Sequence, residues 1–203
     1  MTYRVRLNGV AERTEVLHGI KDVLDTQMRF FSNARGRIDT CMDYRVHLAI
    51  GTEHIKKAFL DAKQRGARLR CLTDIKIDNI SFCKILRKIV DELRHLEGMK
   101  GNFMISESEY LAPVLLEVEG KIALQLIYSN VDRIVEQHKY MFETLWSKAI
   151  PSEQRIREID EGVQPVRTRI LEDQDQIINE IRRLNYSSTR LSVCSANGLQ
   201  LSF

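Results

Sequence analysis

The segment from Ile55 to Asp74 constrains the fold most, because its hydrophobic period changes from about 3.6 to 2 across a single glycine. The first part has the apolar spacing of an amphipathic helix, carried by Ile55, Ala58, Phe59 and Ala62. Gly66 ends this helix, since glycine readily adopts the positive φ that a helix C-terminus commonly requires. A strand follows, and we predict that its buried face consists of Ala67, Leu69, Cys71 and Thr73, with Arg68, Arg70 and Leu72 on the other face. The segment is half of an α/β unit.

Helices and strands also alternate through the rest of residues 1–162. Helical spacing predicts helices over 12–34, 52–65, 79–95 and 131–149, and a short continuation from Ser152 to Gly162. Alternating hydrophobicity predicts strands over 37–43, 67–73, 102–106, 113–118 and 121–128, the last two joined by a turn at Glu119-Gly120. In the last strand we expect Ile127 on the buried face. This order is typical of the α/β class, with a mixed sheet flanked by helices.

Residues 163–203 repeat the start of the chain. Arg13–Leu17 resembles Arg167–Leu171, and after a long amphipathic stretch Arg37–Cys41 resembles Arg190–Cys194. Duplication predicts a first module with a C-terminal connector helix at 1–162, and the first helix and strand of a second, incomplete copy at 163–203. Because a helix and one strand cannot form a core alone, we expect a fragment of a longer tandem-module protein. Chance similarity between two amphipathic helices is the alternative.

Charge and composition argue against several classes of protein. The net charge of +3 comes from interspersed signs, whereas nucleic-acid binding requires clustered basic residues, so we expect no nucleic-acid partner. No run of about 18 apolar residues is present, which predicts a cytoplasmic protein without a membrane span. The four cysteines form no C-x-x-C pair and have no histidine at metal spacing, so we expect buried free thiols and no metal site: Cys41, Cys71, Cys83 and Cys194.

No group of residues outlines an active site. The sequence lacks a G-x-S-x-G elbow and a glycine-rich phosphate loop, and we predict neither catalytic residues nor a cofactor. We interpret His95 as a cation at a helix C-terminus, where the helix dipole favours positive charge. His138 lies within an apolar stripe and is interpreted as a satisfied, buried or half-buried histidine.

Four stretches carry a family resemblance: FFSNARGRIDTCMDY, IKKAFLDAKQRGARLRCLTDI, VDELRHLEGMKGNFMISESEYLAPV and QLIYSNVDRIVEQHKYMFETLWSKAIPSEQRIREIDEG. Together they resemble the N-terminal sensory region of archaeal sensor histidine kinases. The resemblance implies a role in two-component signal transduction, tandem modules, and a kinase module in the same longer chain.

The element order is also similar to the phospholipase D-like fold, which archaeal sugar-sensing transcription regulators use without catalysis. Active members of that fold carry H-x-K-x-x-x-x-D at the entrance to one strand. With Ser106 at the aspartate position, Met99 and Gly101 stand at the histidine and lysine positions; with Glu107 there, Lys100 and Asn102 do. Neither register supplies the nucleophilic histidine, so the resemblance implies a non-catalytic member.

These observations predict a non-catalytic input module that senses a small-molecule or protein signal. The alternatives are a ligand-binding module of an archaeal transcription regulator and, disfavoured by the missing motif, a phospholipase D-class phosphodiesterase. Because ligands bind outside the carboxyl ends of strands in open α/β sheets, we expect the ligand at Asp43, Tyr44, Thr73, Asp74, Ser129 and Asn130. Turn capping and helix capping are the other interpretations of these residues, and a homodimer is left open.

Overall fold

A computed structural model describes residues 6–7, 10–43, 53–118, 121–162, 192–194 and 200–202. The chain forms two compact units, Met1–Gln164 and Pro165–Phe203. In the second unit, the described residues form two short antiparallel strands, Ser192–Cys194 and Gln200–Ser202. The long helix of the predicted second copy falls on residues outside those described, so the duplication remains a prediction.

The described part of the first unit contains ten strands and five α-helices. The strands are β1 Arg6–Leu7, β2 Val10–Ala11, β3 Thr14–His18, β4 Arg37–Met42, β5 Arg68–Thr73, β6 Glu92–His95, β7 Phe103–Ile105, β8 Tyr110–Val118, β9 Lys121–Ser129 and β10 Ile150–Pro151. The helices are α1 Ile20–Asn33, α2 Glu53–Gln64, α3 Ile80–Ile89, α4 Asp132–Lys148 and α5 Ser152–Asp160. A short 3₁₀ helix, Ile77–Asn79, precedes α3.

Eight strands form one mixed sheet in the order β10-β6-β5-β4-β7-β8-β9-β3. Strands β4, β5 and β6 are parallel, whereas β7, β8, β9 and β3 pair in antiparallel succession beyond β4. Strands β4, β5 and β6 therefore finish at one end of the sheet, which we call the carboxyl end. Strand β9 runs in the opposite direction and finishes at the other end, the amino end.

Helices cover both faces of the parallel strands. On one face, α1, α2, α3 and α5 contribute to a core that includes Phe30, Phe59, Leu69 and Ile156. On the other face, α4 packs Phe142 and Trp146 against β4 and β5, where they join Leu72 in a second core. The expected α/β class with a mixed sheet and flanking helices is confirmed.

The predicted division of β5 into a buried and an exposed face is wrong. Leu69 and Leu72 are both fully buried, and even Arg70 on the supposed outer face is 7% exposed. The reason is general, because parallel strands with helices on both sides have no solvent face.

Two predicted helices contain strands at one end. Thr14–His18 is β3, and Gly19, with φ of 87°, separates it from α1. The helix predicted over 79–95 ends at Ile89, because Val90 adopts extended backbone angles and the chain continues into β6. In both places a short alternating run lies beside a helical stripe of similar composition, so periodicity alone merges them.

The register within β9 also differs from the expected one. Leu126 and Tyr128 point into the core, and Ile127 is only half-buried. Helix α4 and the β8–β9 hairpin agree closely with the predicted elements.

Among the described cysteines, Cys41, Cys71 and Cys83 are free and buried as expected, and burial raises the pKa of the Cys71 and Cys83 thiols to about 12. No helix in the described ranges is long and apolar enough to cross a membrane.

Candidate functional site at the carboxyl end of the sheet

Three of the predicted site residues lie together at the carboxyl end. Met42 and Thr73 are register partners at the ends of β4 and β5, and His95 at the end of β6 pairs with Thr73. Asp43 and Asp74 directly follow two of these strands. Tyr44 lies outside the described residues.

Asp74 is buried and engaged on several sides. Its Oδ2 accepts a hydrogen bond from the backbone N–H of Gly98 at 3.1 Å and forms an ion pair with Lys76 Nζ at 3.2 Å. Its backbone carbonyl accepts from Asn79 Nδ2 at 3.0 Å. These contacts fix the turn between β5 and α3 and the turn after β6. They support the turn-capping interpretation of Asp74, and its role in ligand binding stays a prediction.

His95 is a strand residue, so its interpretation as a helix C-terminal cation is wrong. The imidazole is buried on the face covered by α3 and α5, where its Nδ1 accepts from the backbone N–H of Ile75 at 2.9 Å. Burial and the nearby Arg155 guanidinium lower the pKa of His95, whereas Asp74 opposes this shift. The neutral ring with its proton on Nε2 is the form that this contact requires.

Asp43 and Thr73 complete the group through backbone contacts. The N–H of Asp43 donates to Asn102 Oδ1 at 2.9 Å, which ties the end of β4 to the segment before β7. Thr73 is buried, and its carbonyl accepts from the N–H of Leu96 at 3.0 Å. The polar groups at this end of the sheet are therefore held in place by neighbouring turns.

Ser129 and Asn130 lie at the amino end, so the prediction of one shared rim is wrong. Ser129 pairs with Tyr110, which pairs with Ile105, and Ile105 pairs with Asp39 near the start of β4. Three strand spacings and about four residues along β4 place Ser129 on the order of 20 Å from Asp43. The error has a topological cause, since β9 is antiparallel to β4 and its carboxyl end faces the other way.

At the amino end, Ser129 and Asn130 attach β3 to β9. Ser129 Oγ lies 2.9 Å from Thr14 Oγ1 and accepts from the N–H of Val131 at 3.2 Å. Asn130 Oδ1 accepts from the N–H of Arg13 at 2.7 Å, and its Nδ2 donates to the carbonyl of Ala11 at 3.2 Å. The start of α4 also has an acidic neighbour, because the N–H of Asp132 donates to Glu12 Oε1 at 3.3 Å.

At the entrance to β7, residues 99–102, Met99 occupies a core position and the neighbouring Lys100 and Gly101 are exposed. Met99 is 7% exposed and packs in the core that contains Leu72 and Trp146. Gly101 has φ of 89°, and Asn102 is occupied with Asp43 as described above. No histidine lies on β7 or on residues 99–102, all of which are described.

Sequence reasoning missed a charge cluster beside α4, formed by the buried Asp39 and Arg70 and the exposed Glu143. Arg70 donates to Asp39 through Nε at 2.7 Å and Nη2 at 2.9 Å, and to Glu143 through Nη2 at 2.7 Å. Burial opposes the charge, yet these bonds raise the pKa of Arg70 above its ordinary value. Asp39 and Arg70 are direct register partners in β4 and β5, so the pairing of these two strands is the signal that could have revealed the cluster.

Aromatic rings enclose this cluster. The Arg70 guanidinium carbon lies 4.8 Å from the ring centres of both Phe142 and Trp146, and that of Arg94 lies 4.5 Å from Trp146. Nearer the start of α4, the His138 ring packs against Tyr110, with ring centres 3.9 Å apart and planes tilted by 36°, and its Nδ1 donates to the carbonyl of Ile134 at 2.7 Å. His138 is half-buried and satisfied, as predicted. In the described parts of the chain, no group of three or more His, Cys, Asp or Glu side chains could hold a metal ion.

The sequence matches no protein-family model and no curated protein. Its structure is similar to Nuc of Salmonella typhimurium, a phospholipase D family member, with a TM-score of 0.55 and 12% identity over 69% of this chain and 97% of Nuc. It is similar to NucT of Helicobacter pylori, with a TM-score of 0.54 and 13% identity over 69% of this chain and 99% of NucT. The chain thus has a phospholipase D-like fold.

TrmBL2, an archaeal chromatin protein that binds DNA, is also similar in structure. The TM-score is 0.50 and the identity 23%, and the match covers 69% of this chain but only 54% of TrmBL2. This chain therefore corresponds to about half of TrmBL2.

Proposed function

We propose that the chain is a non-catalytic, signal-sensing input module of a cytoplasmic two-component sensor histidine kinase, and that it binds an unidentified ligand or partner. One observation carries the non-catalytic part of the proposal, namely the composition of the entrance to β7, and the signalling part rests on the family resemblance of the sequence. There, active members of the phospholipase D-like fold place a histidine and a lysine, and this chain has Met99 and Gly101 in one register or Lys100 and Asn102 in the other. Without a nucleophile at that position, transfer through a covalent phosphohistidine has no starting group.

Neither of the buried or half-buried histidines in the described residues stands at the motif position before β7, because His95 lies on β6 and His138 lies on α4. His95 uses Nδ1 to accept from Ile75, and His138 uses Nδ1 to donate to Ile134. They also belong to opposite faces of the sheet, since His95 is covered by α3 and α5 and His138 lies on α4. This arrangement supports the proposal of a phospholipase D-like fold without catalytic activity.

A sensing role requires a ligand site that is coupled to another part of the chain. Asp43, Thr73 and Asp74 lie at the carboxyl end, and the residue after Asp74 contacts α5 directly, because Arg155 Nε donates to the carbonyl of Ile75 at 3.3 Å. A ligand at this end would therefore act close to the helix that precedes residues 163–203. Ser129 and Asn130 are not part of this proposed site, since they lie at the amino end.

The second candidate is a ligand-binding module of an archaeal transcription regulator. The similarity to TrmBL2 favours it, because that protein has the highest of the three identities and binds DNA. The charge pattern of this chain argues against DNA binding, since its basic and acidic residues are interspersed along the sequence. A mobility-shift assay with duplex DNA at about 150 mM salt tests whether this chain binds DNA itself, and we expect no retained complex.

Hydrolysis assays test the absence of catalysis. The purified chain, incubated with bis-p-nitrophenyl phosphate, duplex DNA and phosphatidylcholine vesicles, should release no product above the buffer background. A rate that disappears in His95→Asn or His138→Asn would overturn the non-catalytic proposal.

Amide chemical shifts test the ligand site. We expect at least one of three probe classes, nucleoside monophosphates, hexoses and dicarboxylates, to shift the resonances of Asp43, Thr73 and Asn102. Asp74→Asn should weaken that binding, whereas Asp78→Asn, at an exposed neighbouring position, should leave it unchanged. Shifts confined to the amino end of the sheet, or none at the carboxyl end with any probe, would contradict the proposed site.

A further inference from the structure

The His95 side chain has two alternative partners within reach. In the neutral form its Nδ1 accepts from the N–H of Ile75 at 2.9 Å. The Oδ1 atom of Asp74 lies 3.8 Å from the same nitrogen, beyond hydrogen-bond distance. A protonated imidazole carries hydrogen on both nitrogens, so it cannot accept from Ile75 and becomes a donor to a carboxylate.

We propose that His95 is a proton-driven switch, which releases the N–H of Ile75 and binds the Asp74 carboxylate when the imidazole takes up a proton from solvent. The proposal does not depend on the ligand proposed above, because it needs only contacts within the chain.

The charged groups around His95 set the balance between the two states. The loop after β5 contributes Asp74 and Lys76, the turn after β6 contributes Glu97, and α5 contributes Arg155 and Glu158. Arg155 is paired with Glu158 at 3.3 Å. Burial and Arg155 disfavour the protonated ring, and the three carboxylates favour it. The pKa of His95 is therefore lowered, and the proton is taken up at a pH below the ordinary histidine pKa.

The switch is connected to α5 through one residue. Ile75 presents its N–H to His95 and its carbonyl to Arg155 Nε, so the two contacts share a single peptide segment. Asp74, the other partner, also receives the N–H of Gly98 and the Lys76 ammonium. When the imidazole moves toward Asp74, both turns must adjust, and we expect the attachment of α5 at Arg155 to weaken. Protonation at the carboxyl end would thus be transmitted to α5.

Nuclear magnetic resonance of the full chain, titrated from pH 7.5 to 5, tests the switch. At pH 7.5 we expect the Nδ1 resonance of His95 at the position of an unprotonated acceptor nitrogen. As the pH falls, the Ile75 amide should lose about tenfold in protection from exchange, after correction for intrinsic rates, as expected for one buried hydrogen bond. The amides of α5 should follow the same titration curve.

Matched variants isolate the ring. His95→Asn places an amide oxygen near the position of Nδ1 and removes the titration, so the Ile75 amide should become insensitive to pH. His18→Asn, at an exposed histidine on β3, should behave as the unmodified chain. An unchanged pH response in His95→Asn would overturn the proposal. If that variant does not fold, a protonated Nδ1 at pH 7.5 in the unmodified chain would overturn it equally well.

Discussion

The parallel strands β4 and β5 and the antiparallel strand β3 belong to one sheet, yet they meet solvent differently. In β4 and β5 every residue after the first is buried, including Asp39 and Arg70. In β3 every second residue is exposed, and Val16 is 54% exposed. Helices cover both faces of the first pair, whereas β3 is the last strand of the sheet and contacts α1 on one face. Polar side chains in the parallel half must therefore find partners inside the protein.

The largest expected effect concerns the buried charge pair. Arg70→Met should destabilise the fold by about 3–5 kcal/mol, because it removes the buried, two-bonded partner of the Asp39 carboxylate and leaves only the half-exposed Arg37 beside it. Arg37→Met, at a guanidinium 43% exposed that also contacts Asp39, should cost no more than about 1 kcal/mol. Urea denaturation followed by circular dichroism measures both. Equal costs would mean that burial does not distinguish the two arginines.

Alanine substitutions of apolar residues test the same difference in burial between the parallel strands and the antiparallel strands. Leu69→Ala, in fully buried β5, should cost about 2–5 kcal/mol. Ile127→Ala, at a half-buried position of β9, should cost only about 1 kcal/mol, since folding removes less apolar surface of this side chain from water. The two denaturation midpoints give the comparison directly. A larger cost at Ile127 would indicate that β9 has the opposite register.

Leu69 and Ile127 also show how much of the fold the sequence can predict. Leu69 was identified correctly because the helix, Gly66 and the strand differ sharply in period. Ile127 was expected inside because alternation cannot tell which face of a strand a helix covers. The alternating runs of β3 and β6 were absorbed into neighbouring helices, and only the pairing of β3 with β9 and of β6 with β5 defines them as strands.

The candidate site follows the same pattern. Asp43, Thr73 and Asp74 were placed together correctly, since parallel strands joined by helices finish at the same end. Ser129 was assigned to that end only because the direction of β9 cannot be read from its composition. The pairing of Asp39 with Arg70 depends on strand register, which is a property of two strands rather than of either one.

A smaller effect is expected at the junction of β3 and β9. Asn130→Ala removes two hydrogen bonds, to Arg13 and Ala11, and should cost about 1–2 kcal/mol. Hydrogen exchange should localise the loss, with faster exchange in Thr14–His18 and little change in β4 and β5. Equal acceleration in the parallel strands would show that β3 unfolds only together with the whole sheet.

The smallest effect is a dependence on acid. The hydrogen bond from Arg70 lowers the pKa of Glu143 below its ordinary value of 4.5. The unfolded chain therefore takes up this proton more readily, so the stabilisation is present above about pH 4.5 and is lost as the pH falls through the lower folded value. Comparing Glu143→Gln with the unmodified chain between pH 7 and 3 measures it. The difference in stability between them should shrink as the pH falls, and a constant difference would contradict the assignment.

The partnership of β3 with β9 has a consequence for how the chain is made. Thr14 and Ser129 are separated by 115 positions, so a ribosome must add all of the intervening residues before β3 can find its neighbour. At about 5–20 residues per second, this takes roughly 6–23 s. By then the helix-strand units of β4, β5 and β6 have already left the ribosome in order, each next to its future partner. During synthesis, β3 is therefore among the last strands to be covered, and Leu17 stays accessible to chaperones for that interval.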